Sequence, residues 1–175
     1  VEQHGHMESV GYDMYLKLLD EAVKIEEGKE NEIRRECSVD LFIDAFIPES
    51  YIESGEVRIF IYKRIAGIEN NDDAMDVKDE LLDRFGDIPG PVLNLIDIAL
   101  LRNRASRLGF TEISQKGERI IFSLNDISQD AIVALNMKFP SRLHFVMGLK
   151  PQFYITRNKK EDAMVIIGKV VESFE

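Results

Sequence analysis

Residues 70–89 read NNDDAMDVKDELLDRFGDIP and carry the signals for one complete helix. The Asn and Asp residues at 70–73 are typical of a turn followed by a helix N-cap, and Gly86 with Pro89 beyond it is typical of a helix end. Between these signals an apolar stripe recurs at helical spacing, formed by Ala74, Val77, Leu81 and Phe85. The stretch therefore predicts an amphipathic helix that ends at Phe85.

The polar side of this predicted helix is acidic. Asp76, Glu80 and Asp83 follow one another at i, i+4 and i+7, and Asp79 and Asp87 add to the same region. Like charges at these spacings weaken a helix. The pattern has two interpretations, and the spacing alone leaves both open. It is either a solvated helix face or an acidic stripe kept for docking onto Arg or Lys of a partner.

Upstream of this helix, alternation of apolar and polar residues from Cys37 to Ala45 predicts a strand that is covered at least partly on both faces and ends before Pro48. A short helix is expected over about residues 53–65. Further upstream, residues 11–27 predict a connector helix, and the charged, Gly-interrupted stretch after it is typical of a linker. The chain is therefore divided into residues 1–32 and 33–175.

Downstream, the next helix starts at Pro91 and closes on Gly109. The remaining predicted elements are a hairpin, a helix with Ser128 as N-cap, a strand pair and a final helix; they span 110–124, 126–138, 143–156 and 163–174. Helices and antiparallel hairpins without a regular βαβ alternation predict an α+β fold. We expect a small antiparallel or mixed sheet, with hairpins, packed against several helices.

Charge and cysteine content restrict the function. Acidic residues outnumber basic ones by 32 to 22, so the net charge of −10 should repel duplex DNA unless the basic residues are strongly segregated. A partner with a basic surface is expected. The single cysteine, Cys37, excludes a disulfide framework and a multi-cysteine zinc site, and is expected to be a small core residue in a reducing, cytoplasmic setting. No apolar run is long enough to predict a membrane span.

Motifs for catalysis are not found in the sequence. A phosphate-binding loop, a dinucleotide fingerprint and a nucleophile-elbow serine are all missing, which predicts a non-catalytic domain without a cofactor or metal. His4 and His6 supply two metal ligands at best, which favours a polar chain end. His144 is expected to be a half-buried strand residue. The predicted helix that starts at Pro91 carries Arg102, Arg104 and Arg107 near its C-terminal end. We expect them to complement the helix dipole or to pair with nearby carboxylates. A basic patch for nucleic acid is the less favoured interpretation.

Several segments in this order closely resemble the bacterial transcription-repair coupling factor family. The resemblance covers essentially the whole chain and is densest from Gln3 to Gly109. Its first part resembles the end of a helicase-like motor, in which Gln3 and Gly5 would close a translocation motif. The segments that carry it are residues 2–6, 10–15, 18–23, 44–52, 62–65, 80–89, 98–102 and 108–109.

The resemblance implies that this chain is the C-terminal regulatory domain of an ATP-dependent DNA translocase, which would use ATP and Mg²⁺ elsewhere. Such a protein binds double-stranded DNA, acts on stalled RNA polymerase and recruits the excision-repair protein UvrA. The domain would pack against a UvrB-like N-terminal module and cover its UvrA-binding surface. Glu80 and Asp83 match the family's acidic contact. The alternative is a docking platform for another protein or for DNA in the same repair assembly.

Overall fold

The computed structural model describes residues 36–175. The predicted connector helix, the boundary at residue 32 and the motif residues Gln3 and Gly5 lie outside this range. The described chain forms two compact units. One, the helical unit, comprises Phe42–Leu100. The other, the sheet unit, comprises residues 36–41 and Leu101–Glu175.

The helical unit contains α1 (Gly55–Ala66), α2 (Asn71–Phe85) and the first part of α3 (Gly90–Arg107). Side chains cap the first two helices, because Ser54 Oγ accepts the Val57 amide at 3.4 Å and Asn70 Oδ1 accepts the Asp73 amide at 3.0 Å. α2 ends at Gly86, whose φ of +80° is a left-handed conformation that suits glycine. The predicted start and end of α2 are therefore confirmed.

The core of the helical unit is aliphatic. Ala74, Val77 and Leu81 are buried on α2, as the predicted stripe requires. They belong to a buried cluster with Ile47, Ile52, Ile61, Ile65, Ile68, Val92, Leu95, Ile96 and Ala99. At about 2 kcal/mol for each fully buried aliphatic side chain, this cluster fixes which side of α2 faces inward.

Tyr51 secures the C-terminal end of α2. Its single hydroxyl proton is shared between the carbonyl oxygens of Leu81 at 3.3 Å and Gly86 at 3.2 Å, which ties Tyr51 to the end of the helix. Burial, and then the nearby charge of Asp87, raise the pKa of Tyr51 above its ordinary value. The hydroxyl therefore keeps its proton and remains a donor across the physiological pH range.

The predicted strand from Cys37 to Ala45 is wrong in length and in its two-sided burial. Strand β1 covers only Ser38–Asp40, and its polar residues Ser38 and Asp40 are exposed. After Leu41 the chain enters the helical unit, where side chains replace a neighbouring strand as partners of the backbone. Asn94 Nδ2 donates to the Asp44 carbonyl at 2.8 Å, and the Ile47 amide donates to the Tyr62 hydroxyl at 2.9 Å.

The sheet unit is a mixed five-stranded sheet with helices. After β1 come β2 (Phe110–Lys116), β3 (Arg119–Leu124), α4 (Gln129–Lys138), β4 (Leu143–Val146), β5 (Gln152–Thr156), α5 (Ala163–Val171) and a 3₁₀ turn (Glu172–Phe174). The strand order is β1-β2-β3-β5-β4, with β1 parallel to β2 and the other neighbours antiparallel. This confirms the predicted α+β class with a mixed sheet and hairpins.

The two sides of this sheet differ. One side is buried and aromatic: the rings of Phe122 and Phe153 stack at 5.0 Å, and those of Phe110 and Phe174 meet edge-on at 4.7 Å.

Two single residues of the sheet unit had a predicted burial. Cys37 is buried, as predicted. His144 is exposed, which contradicts the predicted half-buried position. The reason is the topology, because β4 is the last strand of the sheet and has a neighbour on one side only.

Candidate docking face on helix α2

The burial of one side of α2 determines which residues meet solvent on the other. With 3.6 residues per turn, positions spaced i, i+4, i+7 and i+11 form one line along a helix. On α2 the line opposite the buried stripe consists of four exposed carboxylates, here called the acidic face: Asp72, Asp76, Asp79 and Asp83. The predicted site residues Asp76, Asp79 and Asp83 are therefore brought together.

Asp72 belongs to the same line but was not included in the predicted site. It lies in the first turn of α2, where a carboxylate also interacts favourably with the helix dipole. Its spacing from Asp76 is the signal that assigns it to the face. The sequence interpretation had used residues 70–73 for capping only.

The carboxylates of the acidic face are not neutralised within the described chain. No basic side chain of residues 36–175 forms an ion pair with Asp76, Asp79 or Asp83. Repulsion between like charges at i, i+4 costs a helix about 0.2–0.5 kcal/mol per pair. The face thus carries a small energetic penalty that no contact of the described residues offsets.

Glu80 is placed differently from its sequence neighbours. Its carboxylate accepts from Arg84 Nη1 at 2.6 Å and lies 3.4 Å from Nε of Arg64 on α1. The side chain is only 26% exposed. Glu80 therefore lies on the flank of the acidic face, in ion pairs within the helical unit. The partner from α1 lies 16 residues away in sequence, so the spacing within α2 could not predict it.

Asp87 lies beyond the C-terminal end of α2. It is exposed, and its charge acts on Tyr51, whose hydroxyl lies at that end of the helix. It therefore extends the acidic region past the helix but is not in line with the acidic face.

An apolar border accompanies the acidic face on one side. Met75 is 61% exposed and Leu82 is 47% exposed, and both lie next to the carboxylate line on the surface of α2. Charged residues beside exposed Met and Leu are typical of protein-binding surfaces, in which apolar contact supplies affinity and charge supplies orientation. The sequence analysis did not single out either residue. Met75 and Leu82 directly follow Ala74 and Leu81, which belong to the predicted apolar stripe, but are not part of that stripe.

The arginines singled out on α3 are used inside the sheet unit. Arg102 Nη2 lies 3.9 Å from the Glu36 carboxylate, and Arg104 Nε lies 2.5 Å from that of Glu175. The hydrogen bond that Arg104 donates to the Glu175 carboxylate raises the pKa of Arg104, and burial opposes this shift. The predicted pairing with nearby carboxylates is therefore confirmed for these two arginines.

Two further properties apply to residues 36–175 alone. Within this range no group of three or more His, Cys, Asp or Glu side chains is arranged to hold a metal ion. No helix in the same range is long and apolar enough to cross a membrane. His4 and His6 lie outside the described residues.

Fold and surface together define a class: an α+β domain that carries an exposed, acidic helix face with an apolar border. Comparison with known proteins identifies the family. The family model described as the TRCF domain matches residues 41–134. The chain therefore belongs to the transcription-repair coupling factor family.

Relatives in this family come from several staphylococci. The transcription-repair-coupling factor of Staphylococcus aureus (strain USA300) is 40% identical to this chain over 127 residues. That of Staphylococcus haemolyticus (strain JCSC1435) is 37% identical to it over 126 residues. In each case the match covers 71% of this chain and 11% of the relative. The chain thus spans about a tenth of the length of the curated relatives it matches.

A solved structure supports the fold assignment. The crystal structure of the C-terminal domain of a transcription-repair coupling factor matches with a TM-score of 0.69 and 24% sequence identity. The match covers 79% of this chain and 91% of that chain. At this identity the likeness concerns the fold alone, and it agrees with the mixed sheet and helices described above.

Proposed function

We propose that this chain is a non-catalytic, autoinhibitory domain of a transcription-repair coupling factor. Its acidic face docks onto the basic UvrA-binding surface of the UvrB-like N-terminal module of the same protein and covers it. Engagement with stalled RNA polymerase then opens the contact. The observation that carries the proposal is the line formed by Asp76, Asp79 and Asp83, which is exposed and has no ion-pair partner within residues 36–175.

The rest of the proposal concerns the whole protein, of which this chain is a part. In it, an ATP-dependent motor that binds double-stranded DNA in the cytoplasm would hold ATP and Mg²⁺. The described residues of this chain would contribute no step of hydrolysis. Their role is to set how often the UvrA-binding surface is available.

The strength of the acidic face suits a contact that must open. An exposed ion pair is worth about 0–1 kcal/mol, so three carboxylates supply at most about 3 kcal/mol. Covering Met75 and Leu82 adds about 25 cal/mol for each Å² of apolar surface removed from water. Because both partners belong to one protein, docking is intramolecular, and a weaker contact can keep the surface covered than separate proteins would need.

Glu80 supports this contact from the side. The resemblance implies that Glu80 and Asp83 both face the basic module. Their contacts within the helical unit differ, so we expect them to contribute to docking in different ways. Asp83 is free to accept a partner's Arg or Lys. Glu80 holds Arg64 and Arg84, so removing its charge would release two cations beside a basic partner. We therefore expect Glu80→Gln to weaken docking through those arginines.

The experiment uses the intact protein with the combined substitutions Asp76→Asn, Asp79→Asn and Asp83→Asn. If the acidic face covers the UvrA-binding surface, neutralising it should tighten UvrA binding by about tenfold, the equivalent of about 1.4 kcal/mol. A matched control removes three carboxylates of the same unit outside α2, through Glu49→Gln, Glu53→Gln and Glu56→Gln. The control should bind UvrA as the unaltered protein does.

Two results would contradict the proposal. Unchanged UvrA binding by the Asp variant would mean that the acidic face covers nothing relevant to UvrA. An equal increase in the control variant would mean that net charge, rather than this face, governs the availability of the surface.

A further inference from the structure

The basic residues of this acidic chain are segregated. Residues 131–160 contain six Lys or Arg and no Asp or Glu, whereas the rest of the chain contains 16 basic and 32 acidic residues. The segment includes β4, β5 and the loops around them. Net negative charge argues against nucleic-acid binding only when the charge is spread evenly over the protein. The argument therefore does not apply to this part of the sheet unit.

The strands in and beside this segment present a second, polar side of the sheet. On β5, Phe153 and Ile155 are buried, which leaves Tyr154 on the opposite side. The register pairs Tyr154 with Ile121 on β3 and with His144 on β4, so the three share that side. We call this side the polar sheet face; its residues are Arg119, Ile121, Ser123, His144, Val146, Gln152, Tyr154 and Thr156.

The eight positions on β3, β4 and β5 include no Asp or Glu. The same side of the sheet continues onto β2 and β1, where Glu112 and Asp40 are exposed. A hydrogen bond from Gln152 Nε2 to Ser123 Oγ, 3.0 Å long, joins β5 to β3 across it. Arg119 and His144 are exposed and Tyr154 is half-buried. An anionic ligand would therefore reach this side without facing a negative charge on β3, β4 or β5.

Flat side chains are lined up on the polar sheet face. The His144 and Tyr154 rings are stacked with centroids 4.8 Å apart and planes inclined by 23°. The Arg119 guanidinium carbon lies 4.7 Å from the centre of the Tyr154 ring. Aromatic rings and guanidinium planes on an open sheet are the groups on which unpaired nucleobases stack. The exposed His144 ring offers such a surface at the edge of the sheet.

Lysines lie at both ends of β5. Lys150 precedes the strand, and Lys159 and Lys160 follow it. Within residues 36–175 none of the three forms an ion pair, unlike Arg142 and Arg157, which pair with carboxylates. At a rise of about 3.4 Å per residue the strand between them is about 17 Å long. The spacing leaves room for a short run of nucleotides with cations at each end.

We propose that the polar sheet face binds single-stranded nucleic acid without reading its sequence. A base stacks on the exposed His144 ring, which Tyr154 supports from behind with Arg119 on its other face, while Lys150, Lys159 and Lys160 neutralise phosphates. Stacking rings distinguish this ligand from an acidic peptide, which needs cations but no flat surface. The site lies in the sheet unit and is independent of the acidic face and of its proposed partner.

The test measures fluorescence anisotropy of a labelled oligo(dT) of about 12 nucleotides with the 175-residue chain at about 50 mM salt. We expect a Kd on the order of 10⁻⁵ M that weakens as salt rises. Lys150→Glu should weaken binding about tenfold. Lys63→Glu makes the same charge change on an exposed residue of α1 and should leave the Kd unchanged.

Stacking is tested separately from charge. His144→Ala changes an exposed side chain at the sheet edge and should weaken binding by about fivefold, within the range that one stacked base contributes. Tyr154→Phe keeps the ring and should bind as the unaltered chain does. Thermal unfolding of each variant identifies any loss of binding that reflects loss of fold.

Three results would overturn this proposal. They are absence of salt-sensitive binding, binding of a duplex of about 12 base pairs as tightly as of oligo(dT), and displacement of the oligonucleotide by poly-glutamate as effectively as by unlabelled oligo(dT). The last would assign the surface to an acidic peptide instead. None of these results bears on UvrA binding, so each proposal can fail alone.

Discussion

The helical unit and the sheet unit use carboxylates in different ways. Phe42–Leu100 contains 13 acidic and 5 basic residues, whereas residues 36–41 and Leu101–Glu175 contain 10 acidic and 12 basic ones. In the sheet unit, half of the carboxylates are in ion pairs: Glu36, Glu118, Glu161, Glu172 and Glu175. In the helical unit the line Asp72–Asp83 on α2 is left without basic partners from residues 36–175.

This difference separates charges that hold a fold together from charges that are available to a partner. Four of the five basic residues in Phe42–Leu100 make other contacts, namely Arg58, Arg64, Lys78 and Arg84, and the fifth, Lys63, forms no ion pair within residues 36–175. A net charge of −10 therefore describes neither unit. The helical unit is acidic, with 13 acidic and 5 basic residues, and the sheet unit is slightly basic, with 10 acidic and 12 basic ones.

The largest expected effect comes from the buried side of α2. Leu81 is completely buried, so Leu81→Ala should lower the free energy of unfolding by about 3–4 kcal/mol through lost burial and a residual cavity. Leu82→Ala is the matched control one residue on, since that side chain is 47% exposed; it should cost less than about 1 kcal/mol. Urea unfolding measures both. Equal losses of unfolding free energy in the two variants would contradict the assignment of Leu81 to the buried side of α2 and Leu82 to the exposed side.

A carboxylate of the sheet unit should contribute to stability. Burial alone would raise the pKa of Glu161, but hydrogen bonds from Arg142 and from the Asn158 amide outweigh it and the pKa is lowered. A carboxylate with a lowered folded pKa stabilises the fold above its unfolded pKa, and the stabilisation is lost as pH falls through the folded pKa. At neutral pH, Glu161→Gln should therefore cost about 1 kcal/mol.

Thermal unfolding between about pH 7 and about pH 3 checks this prediction, because those values bracket the ordinary pKa of a glutamate. The difference between Glu161→Gln and the unaltered chain should shrink toward the acidic end. Glu49→Gln, at an exposed position of the helical unit, is the control for removing one surface carboxylate. A difference that is constant with pH would show that the ion pair is not its source.

The N-cap of α2 gives a smaller effect. Asn70→Ala removes the acceptor of the Asp73 amide and should lower the free energy of unfolding by about 1 kcal/mol. Asn71→Ala, inside the helix and exposed, should leave stability nearly unchanged or raise it slightly. Urea unfolding midpoints compare the two, and an equal loss for both would contradict the assignment of Asn70 as the cap.

The smallest effect on stability is expected on the acidic face itself. The combined substitutions Asp76→Asn, Asp79→Asn and Asp83→Asn remove like-charge repulsion and should stabilise the chain by less than about 1 kcal/mol. Raising the salt concentration should reduce the gain, since the charges are exposed. Guanidinium is unsuitable as denaturant because it is itself a salt, so urea is used. A marked loss of stability would mean that these carboxylates hold the fold together.

Much of the fold could be predicted because its signals are local. The caps Asn70 and Ser128, the end of α2 at Gly86 and the hairpin around Gly117 each depend on a few neighbouring residues. Burial of Ala74, Val77 and Leu81 followed from helical spacing alone. The exposure of Asp76, Asp79 and Asp83 opposite them followed for the same reason, whereas Asp72 was missed and Glu80 was placed on the wrong line.

What could not be predicted depends on partners distant in sequence. The length of β1 is set by three residues of β2, and the exposure of His144 by the edge position of β4. Glu80 is held by Arg64 from another helix. The basic segment 131–160 is visible in the sequence, but only the strand register shows that His144, Tyr154 and Arg119 meet on one side.

The most direct test of the central claim uses the 175-residue chain and a separately produced UvrB-like N-terminal module of the same protein. Titration calorimetry would compare the unaltered chain with the variant carrying Asp76→Asn, Asp79→Asn and Asp83→Asn. If the acidic face is the docking surface, the unaltered chain binds, rising salt weakens it, and the variant binds at least about tenfold more weakly. Equal affinity of the two chains would contradict the claim.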